Sequence, residues 1–252
     1  MRFYRLPNQQ AYPSVTTIVS LSKEGKKNWG LSRWKANNPN WVQLLAYYSL
    51  RGTMAHNYAS ARSEKLGAMT NSELELFDAE YMLKTCQEAD KTFDDLLGDV
   101  ATSAQMFEDF LKDHDFEPLM SEQVVWSDKF KYAGQLDLVG FVDGKLSVID
   151  IKTSKAVYKD SGYDMQLSAY AQALAERTGN PKYLQADRII LLLCPDIEKT
   201  NRFTYKKVMM PDAWPKFKYW VDRFHKIGAD RRKAGRKVHY RDFTNLSSNM
   251  SQ

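Results

Sequence analysis

The sequence predicts an α/β fold in a single domain, with a helical lobe over residues 1–115 and an α/β core over 116–252. Three observations carry this. Helical periodicity dominates the first half of the chain. A strand–hairpin–helix–strand–strand unit follows, centred on Asp143-Gly144, the dipeptide favoured in two-residue type I′ turns because both positions need φ > 0. Finally, the apolar run from Asp187 to Pro195 has strand length and no alternation, as expected of a strand covered on both faces.

In chain order, Pro13-Ser-Val-Thr-Thr-Ile-Val reads as a short capped helix with Ser14 or Thr16 as N-cap. Residues 26–50 hold Trp29, Trp34, Trp41 and the pair Tyr47-Tyr48, suited either to a lobe core or to base stacking. Arg51-Gly-Thr-Met-Ala-His56 opens a helix running to about Leu66. Residues 71–113 read as helical, with Leu74, Phe77 and Tyr81, then Phe93, Leu96 and Leu97, at helical spacing and a solvated acidic face. Glu122–Trp126 is a candidate strand leading into the hairpin. Asp164–Ala175 reads as a helix with an apolar stripe of Leu167, Ala171 and Leu174, leaving Gln166 and Tyr170 together on a neighbouring face. Arg202–Val208 alternates like an edge strand. Residues 211–233 form a helix carrying Trp214, Phe217, Trp220, Val221 and Phe224. The basic run Arg231–Arg241 suits either phosphate contact or a solvated helix exit.

The hairpin concentrates the chemistry. With Asp143-Gly144 as its loop, Val142 opposes Lys145, Asp137 opposes Asp150, and Gln135 opposes Lys152. Directly opposed residues share a face with Cβ atoms about 4.5–5.5 Å apart, so the two aspartates repel unless a cation lies between them. A hard divalent ion, which takes carboxylate oxygens at about 2.1 Å, meets that need. Lys152 shares the face of Asp150 by alternation, while Ile149 and Ile151 point the other way into a core.

Composition bounds the rest. The chain has 252 residues, 43% hydrophobic and 13% aromatic, enough for a sizeable core. It carries no apolar run of membrane-helix length and no signal-length apolar stretch after Met1, so the expected compartment is the cytoplasm, bacterial or of a phage-infected host. Two cysteines, Cys86 and Cys194, suit a reducing compartment and exclude a four-cysteine iron–sulfur cluster within one chain. A net charge of +5 and pI near 9.0 are compatible with a polyanionic partner.

Taken together, these motifs resemble those of the PD-(D/E)XK nuclease superfamily, in the branch of RecB-type domains and the mitochondrial genome maintenance exonuclease. Gly134-Gln-Leu-Asp137 looks like its G-x-x-D, Asp150-Ile-Lys152 its D-x-K, and Gln166-Leu-Ser-Ala-Tyr170 its Q-x-x-x-Y. Arg51-Gly-Thr-Met-Ala-His56 resembles its R-G-T-x-x-H, and Pro13-Ser-Val-Thr16 a segment near the start of such enzymes. The likeness spans roughly residues 13–175. In several members an acidic residue follows the histidine by two or three places. Here Asn57-Tyr-Ala-Ser fills those positions.

The resemblance implies a restriction-endonuclease-like core, a mixed central sheet flanked by helices, in a phage or bacterial member. It further implies a deoxyribonuclease using Mg²⁺ or Mn²⁺ and no iron–sulfur cluster. Asp137, Asp150, His56 and the carbonyl of Ile151 are the implied metal ligands, with Glu122 as an open candidate. Lys152 would orient the attacking water, and Gln166 and Tyr170 would hold its surroundings. Arg51, Lys131, Tyr132, Thr153, Ser154 and Lys155 are the expected DNA contacts. The expected activity is exonucleolytic, on single-stranded DNA with a free end, in replication, repair or recombination. A lambda- or RecE-like duplex exonuclease, a structure-selective endonuclease and a catalytically silent DNA-binding module are the alternatives. No helicase motif is present, so a helicase, polymerase or recombinase partner would be a separate chain.

Overall fold

The computed structural model describes the chain apart from residues 8–9, 26–27, 71–75, 159–160, 197, 200–201, 234–238 and 243–252, and apart from the side chains at 198–199, 202–203, 228–233 and 239–242. The hairpin forms as its turn chemistry dictates. Asp143 and Gly144 have φ of 51° and 75°, and the turn joins β5 (Tyr132–Val142) to β6 (Lys145–Lys152) in the expected register, from Val142–Lys145 to Leu138–Ile149.

Around it lies a six-stranded sheet in the order β10-β7-β6-β5-β4-β3, built from β3 (Met69–Thr70), β4 (Phe116–Ser127), β7 (Asp187–Leu192) and β10 (Lys206–Met209). The β6–β7 and β3–β4 pairs are parallel and the rest antiparallel, so the sheet is mixed. The apolar run at Ile189–Leu192 takes an interior place between β6 and β10, which explains its lack of alternation. Leu167, Ala171 and Leu174 of α6 (Tyr163–Thr178) cover one sheet face with Val139 and Val148, joined by α1 (Val15–Leu21) and α7 (Trp214–Lys233). On α7 the buried stripe is Phe217, Val221 and Phe224. Met106, Phe107 and Phe110 of α5 (Phe93–Asp113) cover the other face, against Leu138, Ile149 and Ile151. Both faces are therefore packed, and the site occupies one end of the α6 side.

The structure differs from the sequence reading in five places. Helix α3 spans Trp41–Lys65, ten residues more than Arg51 alone suggested, and its inward Leu44, Tyr47 and Leu50 form a lobe core with α4 (Ala79–Glu88) and α5. The helical stretch read over 71–113 divides into α4 and α5 around Asp90, which takes φ 54°, after which Thr92 and Asp95 form a reciprocal capping box that starts α5. Leu74 lies outside the described residues. The helix α2 (Trp29–Asn37) buries none of its residues and leaves Trp29 73% exposed.

Finally, the first residues do not pack with the lobe. Strand β1 (Arg2–Arg5) lies between β2 (Ala11–Pro13) and the C-terminal β11 (His239–Asp242), and Phe3, Val15 and Ile18 join the α6–α7 core. The packing boundary therefore falls after α1, not only at residue 115. The alternating segment at 202–208 splits into β9 (Arg202–Phe203), which pairs with β8 (Glu198–Lys199), and the edge strand β10. The side chains of the basic run Arg231–Arg241 lie outside the described residues.

Candidate active site

The β5–β6 ladder ends one step before the aspartates. In a two-residue hairpin the next hydrogen-bonded pair after Leu138–Ile149 is Leu136–Ile151. Instead the Ile151 amide donates to Asp137 Oδ2 at 2.6 Å, so the strands part and the carboxylate enters the gap. From the other side, Glu122 of β4 takes φ 48°, a left-handed conformation rare for a glutamate and of the kind that persists where the surroundings over-determine it. Its Oε2 accepts from Gln135 Nε2 at 2.7 Å.

His56 projects from α3 between these carboxylates, with Nδ1 3.6 Å from both Glu122 Oε1 and Asp137 Oδ2. One ligand atom from each of His56, Glu122 and Asp137 falls within 4.8 Å of the others. One imidazole nitrogen and two carboxylate oxygens make a hard, oxygen-rich donor set. Such a donor set, with its atoms this close together, suits a hard divalent cation. Glu122 thus stands where the sequence had expected Asp150 beside His56 and Asp137.

Asp150 is 1% exposed and differently employed. Its Oδ1 accepts from Gln166 Nε2 at 2.8 Å, and its Oδ2 is in ion-pair contact with Lys152 Nζ but accepts no hydrogen bond of proper geometry. Gln166 Nε2 also donates to Tyr170 OH at 3.1 Å. Lys152 Nζ further donates to the Ile151 carbonyl at 3.2 Å and lies 5.2 Å from the centre of the Tyr163 ring. The expected set of Asp137, Asp150, Lys152, Gln166, Tyr170 and His56 therefore converges in one place.

The electrostatics follow from burial and crowding. Burial raises the pKa of Asp137, against the pull of His56 and Lys152. For Asp150 burial again leads, with the Asp137 charge adding to it, and the carboxyl is pushed up to about 6 despite Lys152. Burial opposes charge on His56, but Asp137 and Glu122 outweigh it and hold the imidazolium to about 9. Lys152 is likewise penalised by burial yet held to about 12 by Asp150 and Asp137. Two protonated side chains thus balance a carboxylate cluster that by itself would repel.

These groups line a cavity of about 390 Å³. One wall is the α3 face bearing Ser49, Gly52, Thr53 and His56, which recur at helical spacing. The opposite wall was not read as part of the site: Arg2 of β1, with Ser14 and Thr16 from the start of α1. Ser14 is the N-cap, its Oγ accepting from the Thr17 amide at 3.0 Å, and the Arg2 amide donates to Thr17 Oγ1 at 2.9 Å, which ties β1 to the helix. The Pro13-Ser-Val-Thr16 segment was the available signal for this wall. Its position came only from the β1–α1 packing.

None of the six expected DNA contacts lines this cavity. Two are corrected outright. Arg51 is 3% exposed and its guanidinium is spent on internal partners, and Tyr132 is fully buried with its hydroxyl donating to the Ala169 carbonyl at 2.8 Å. Lys131 donates to Tyr12 OH at 3.1 Å. The Thr153 carbonyl accepts from Arg51, Ser154 Oγ donates to the Ala156 carbonyl at 3.3 Å, and Lys155 is exposed. Among the lobe aromatics Tyr47 is buried in the α3–α5 core and hydrogen-bonds Asp99, which makes it a packing residue.

The model of the PD-(D/E)XK nuclease superfamily matches residues 36–244, and the chain belongs to that superfamily. Among solved structures it is similar to the crystal structure of SSO0001, at 15% identity over 69% of this chain and 74% of that one, with a TM-score of 0.30. It is also similar to the crystal structure of LHK-Exo in complex with dAMP, at 10% identity over 75% of this chain and 96% of that one, with a TM-score of 0.30. No curated protein sequence matches the chain. Among the described residues no helix is long and apolar enough to cross a membrane.

Proposed function

We propose that this nuclease is a divalent-metal-dependent deoxyribonuclease that removes nucleotides from an end of single-stranded DNA, in replication, repair or recombination. The observation that carries the reading is the donor set of His56, Glu122 and Asp137 beside the Asp150–Lys152 pair, at the floor of one cavity. A volume of about 390 Å³ suits one splayed nucleotide.

His56, Glu122 and Asp137 would hold Mg²⁺ or Mn²⁺, with Asp150 Oδ2 and the Ile151 carbonyl on its Lys152 side. The imidazole favours Mn²⁺ of the two. When bound, the ion supplies Lewis-acid chemistry and charge neutralisation at the scissile phosphate. Lys152 orients the attacking water and stabilises the charge that develops on the phosphate oxygens. Gln166, steadied by Tyr170, fixes Asp150 and so fixes the ammonium of Lys152. The walls of α3 and of Arg2, Ser14 and Thr16 keep the reacting phosphate out of bulk water.

The test is digestion of 5′- and 3′-labelled single-stranded, duplex and circular single-stranded DNA with Mg²⁺ or Mn²⁺. Linear single strands should be degraded from one end while the circle survives. Cleavage of the circle would show an endonuclease, and preferential loss of duplex ends a duplex exonuclease. No turnover on any of them would leave a DNA-binding module.

A further inference from the structure

Arg51 and Gly52 adjoin each other at the middle of α3, and both meet the chain where β6 ends. Arg51 is a buried cation with partners on three other segments. Its Nη1 donates to Asp99 Oδ2 of α5 at 3.0 Å and lies 3.5 Å from Asp196 Oδ2 beyond β7, while its Nη2 donates to the Thr153 carbonyl at 3.2 Å. Thr153 directly follows Lys152. A methyl group built at Gly52 would stand 3.2 Å from Thr153 Oγ1, tighter than ordinary contact, so an added side chain there makes α3 or Thr153 give by a few tenths of an ångström. His56 lies five residues further along the same helix, about 7.5 Å by the helical rise.

We propose that Arg51 and Gly52 are positioning residues that seat α3 on the exit of β6 and thereby fix His56 against Asp137 and the Asp150–Lys152 pair. The ligand set is assembled from segments distant in sequence, helix α3 and the central sheet, and a productive constellation tolerates only about 0.5 Å of drift. The guanidinium suits this work because its planar fork serves a carboxylate and a carbonyl at once, whereas a lysine is a single point charge. Its burial also explains why the arginine cannot greet a DNA phosphate. The proposal rests on reading the site as a metal-dependent nuclease centre.

Calorimetric titration of the full chain with Mn²⁺ tests the device without relying on cleavage. Arg51→Lys and Gly52→Ala should each weaken Mn²⁺ binding on the order of 10-fold, the usual effect of disturbing a ligand's support. They should lower kcat in parallel. Adding Thr153→Ala to Gly52→Ala removes the hydroxyl that the new methyl meets, and should return Mn²⁺ affinity to that of Thr153→Ala alone. Unchanged Mn²⁺ affinity in Gly52→Ala, or no restoration in the double variant, overturns the proposal while leaving the nuclease reading intact. A wild-type chain that neither binds Mn²⁺ nor cleaves DNA overturns the nuclease reading instead. The seating itself is then read from thermal midpoints, and a Gly52→Ala loss that Thr153→Ala does not repair refutes it.

Discussion

Gly134→Ala tests why the Gly-x-x-Asp segment needs its glycine. A methyl group at Gly134 would lie 2.7 Å from Tyr170 Cε1 and 3.1 Å from Val15 Cγ2, and the first falls about 0.7 Å short of the 3.4 Å at which ordinary contact begins. Tyr170 is 3% exposed and Val15 1%, and both border the site cavity, so relief comes only by displacing side chains that line the site. Overpacking of this kind costs about 1–3 kcal/mol. At about 2–4 °C per kcal/mol for a chain this long, a loss of about 2 kcal/mol lowers the thermal midpoint by roughly 4–8 °C.

The displaced ring also carries the hydroxyl that Gln166 contacts, and Gln166 holds Asp150. A shift of about 0.7 Å exceeds the roughly 0.5 Å that a catalytic constellation tolerates, so kcat should fall on the order of 10-fold. Urea denaturation in chelator gives the first quantity and steady-state cleavage of labelled DNA the second. Tyr170→Phe is the control, since it keeps Cε1 and should not relieve Gly134→Ala. A stability change below about 0.3 kcal/mol with unchanged turnover would refute the reasoning.

Three further outcomes are expected. Asp150→Ala and Lys152→Ala should each abolish metal-dependent cleavage, by about 10³-fold or more, with the far-ultraviolet circular dichroism preserved; activity near the wild-type level in either sinks the assigned roles. Tyr132→Phe should cost about 1 kcal/mol of stability by removing a buried hydrogen bond to the Ala169 carbonyl, and should leave KM for DNA unchanged, because the ring faces the core. In chelator, stability should fall with rising pH in two stages. Asp150, raised to about 6, stabilises the fold fully below its ordinary value of 3.8, and that contribution is lost by about pH 6. His56, raised to about 9, stabilises fully below 6.5, and its contribution is lost as the pH passes about 9. Thermal midpoints from pH 4 to 10 measure this, and a midpoint that rises from pH 7 to 9.5 contradicts the charge balance proposed for His56.

The parts of the site that were legible in the sequence depend on local geometry. Asp143-Gly144 permits one tight turn, which sets the register from Val142–Lys145 to Leu138–Ile149 and brings Asp137 and Asp150 to the point where the ladder ends. Alternation sends Lys152 to the same face, and four-residue spacing brings Gln166 to Tyr170. The same limit explains the failures. Arg51 looked like a phosphate ligand because a lone arginine in a motif carries no sign of Asp99 or Asp196, which lie 48 and 145 residues away. Tyr132 looked exposed because its neighbours Lys129 and Lys131 are polar, whereas the alternating strand turns its ring beneath α6 and α7.

What the sequence determined alone is the β5–β6 hairpin that carries Asp137 and Asp150, a helix cap at Ser14 or Thr16, and the helix that supports Asp150. The tertiary structure decided which groups complete it. It brought Glu122 next to His56 through a left-handed residue in β4, committed Asp150 to Lys152 and Gln166, and built the far wall from Arg2 and Thr16. The reason is physical. Turn and strand rules act over a few residues, while the choice among nearby carboxylates depends on how a lobe helix and a sheet assembled from distant segments come to rest on each other.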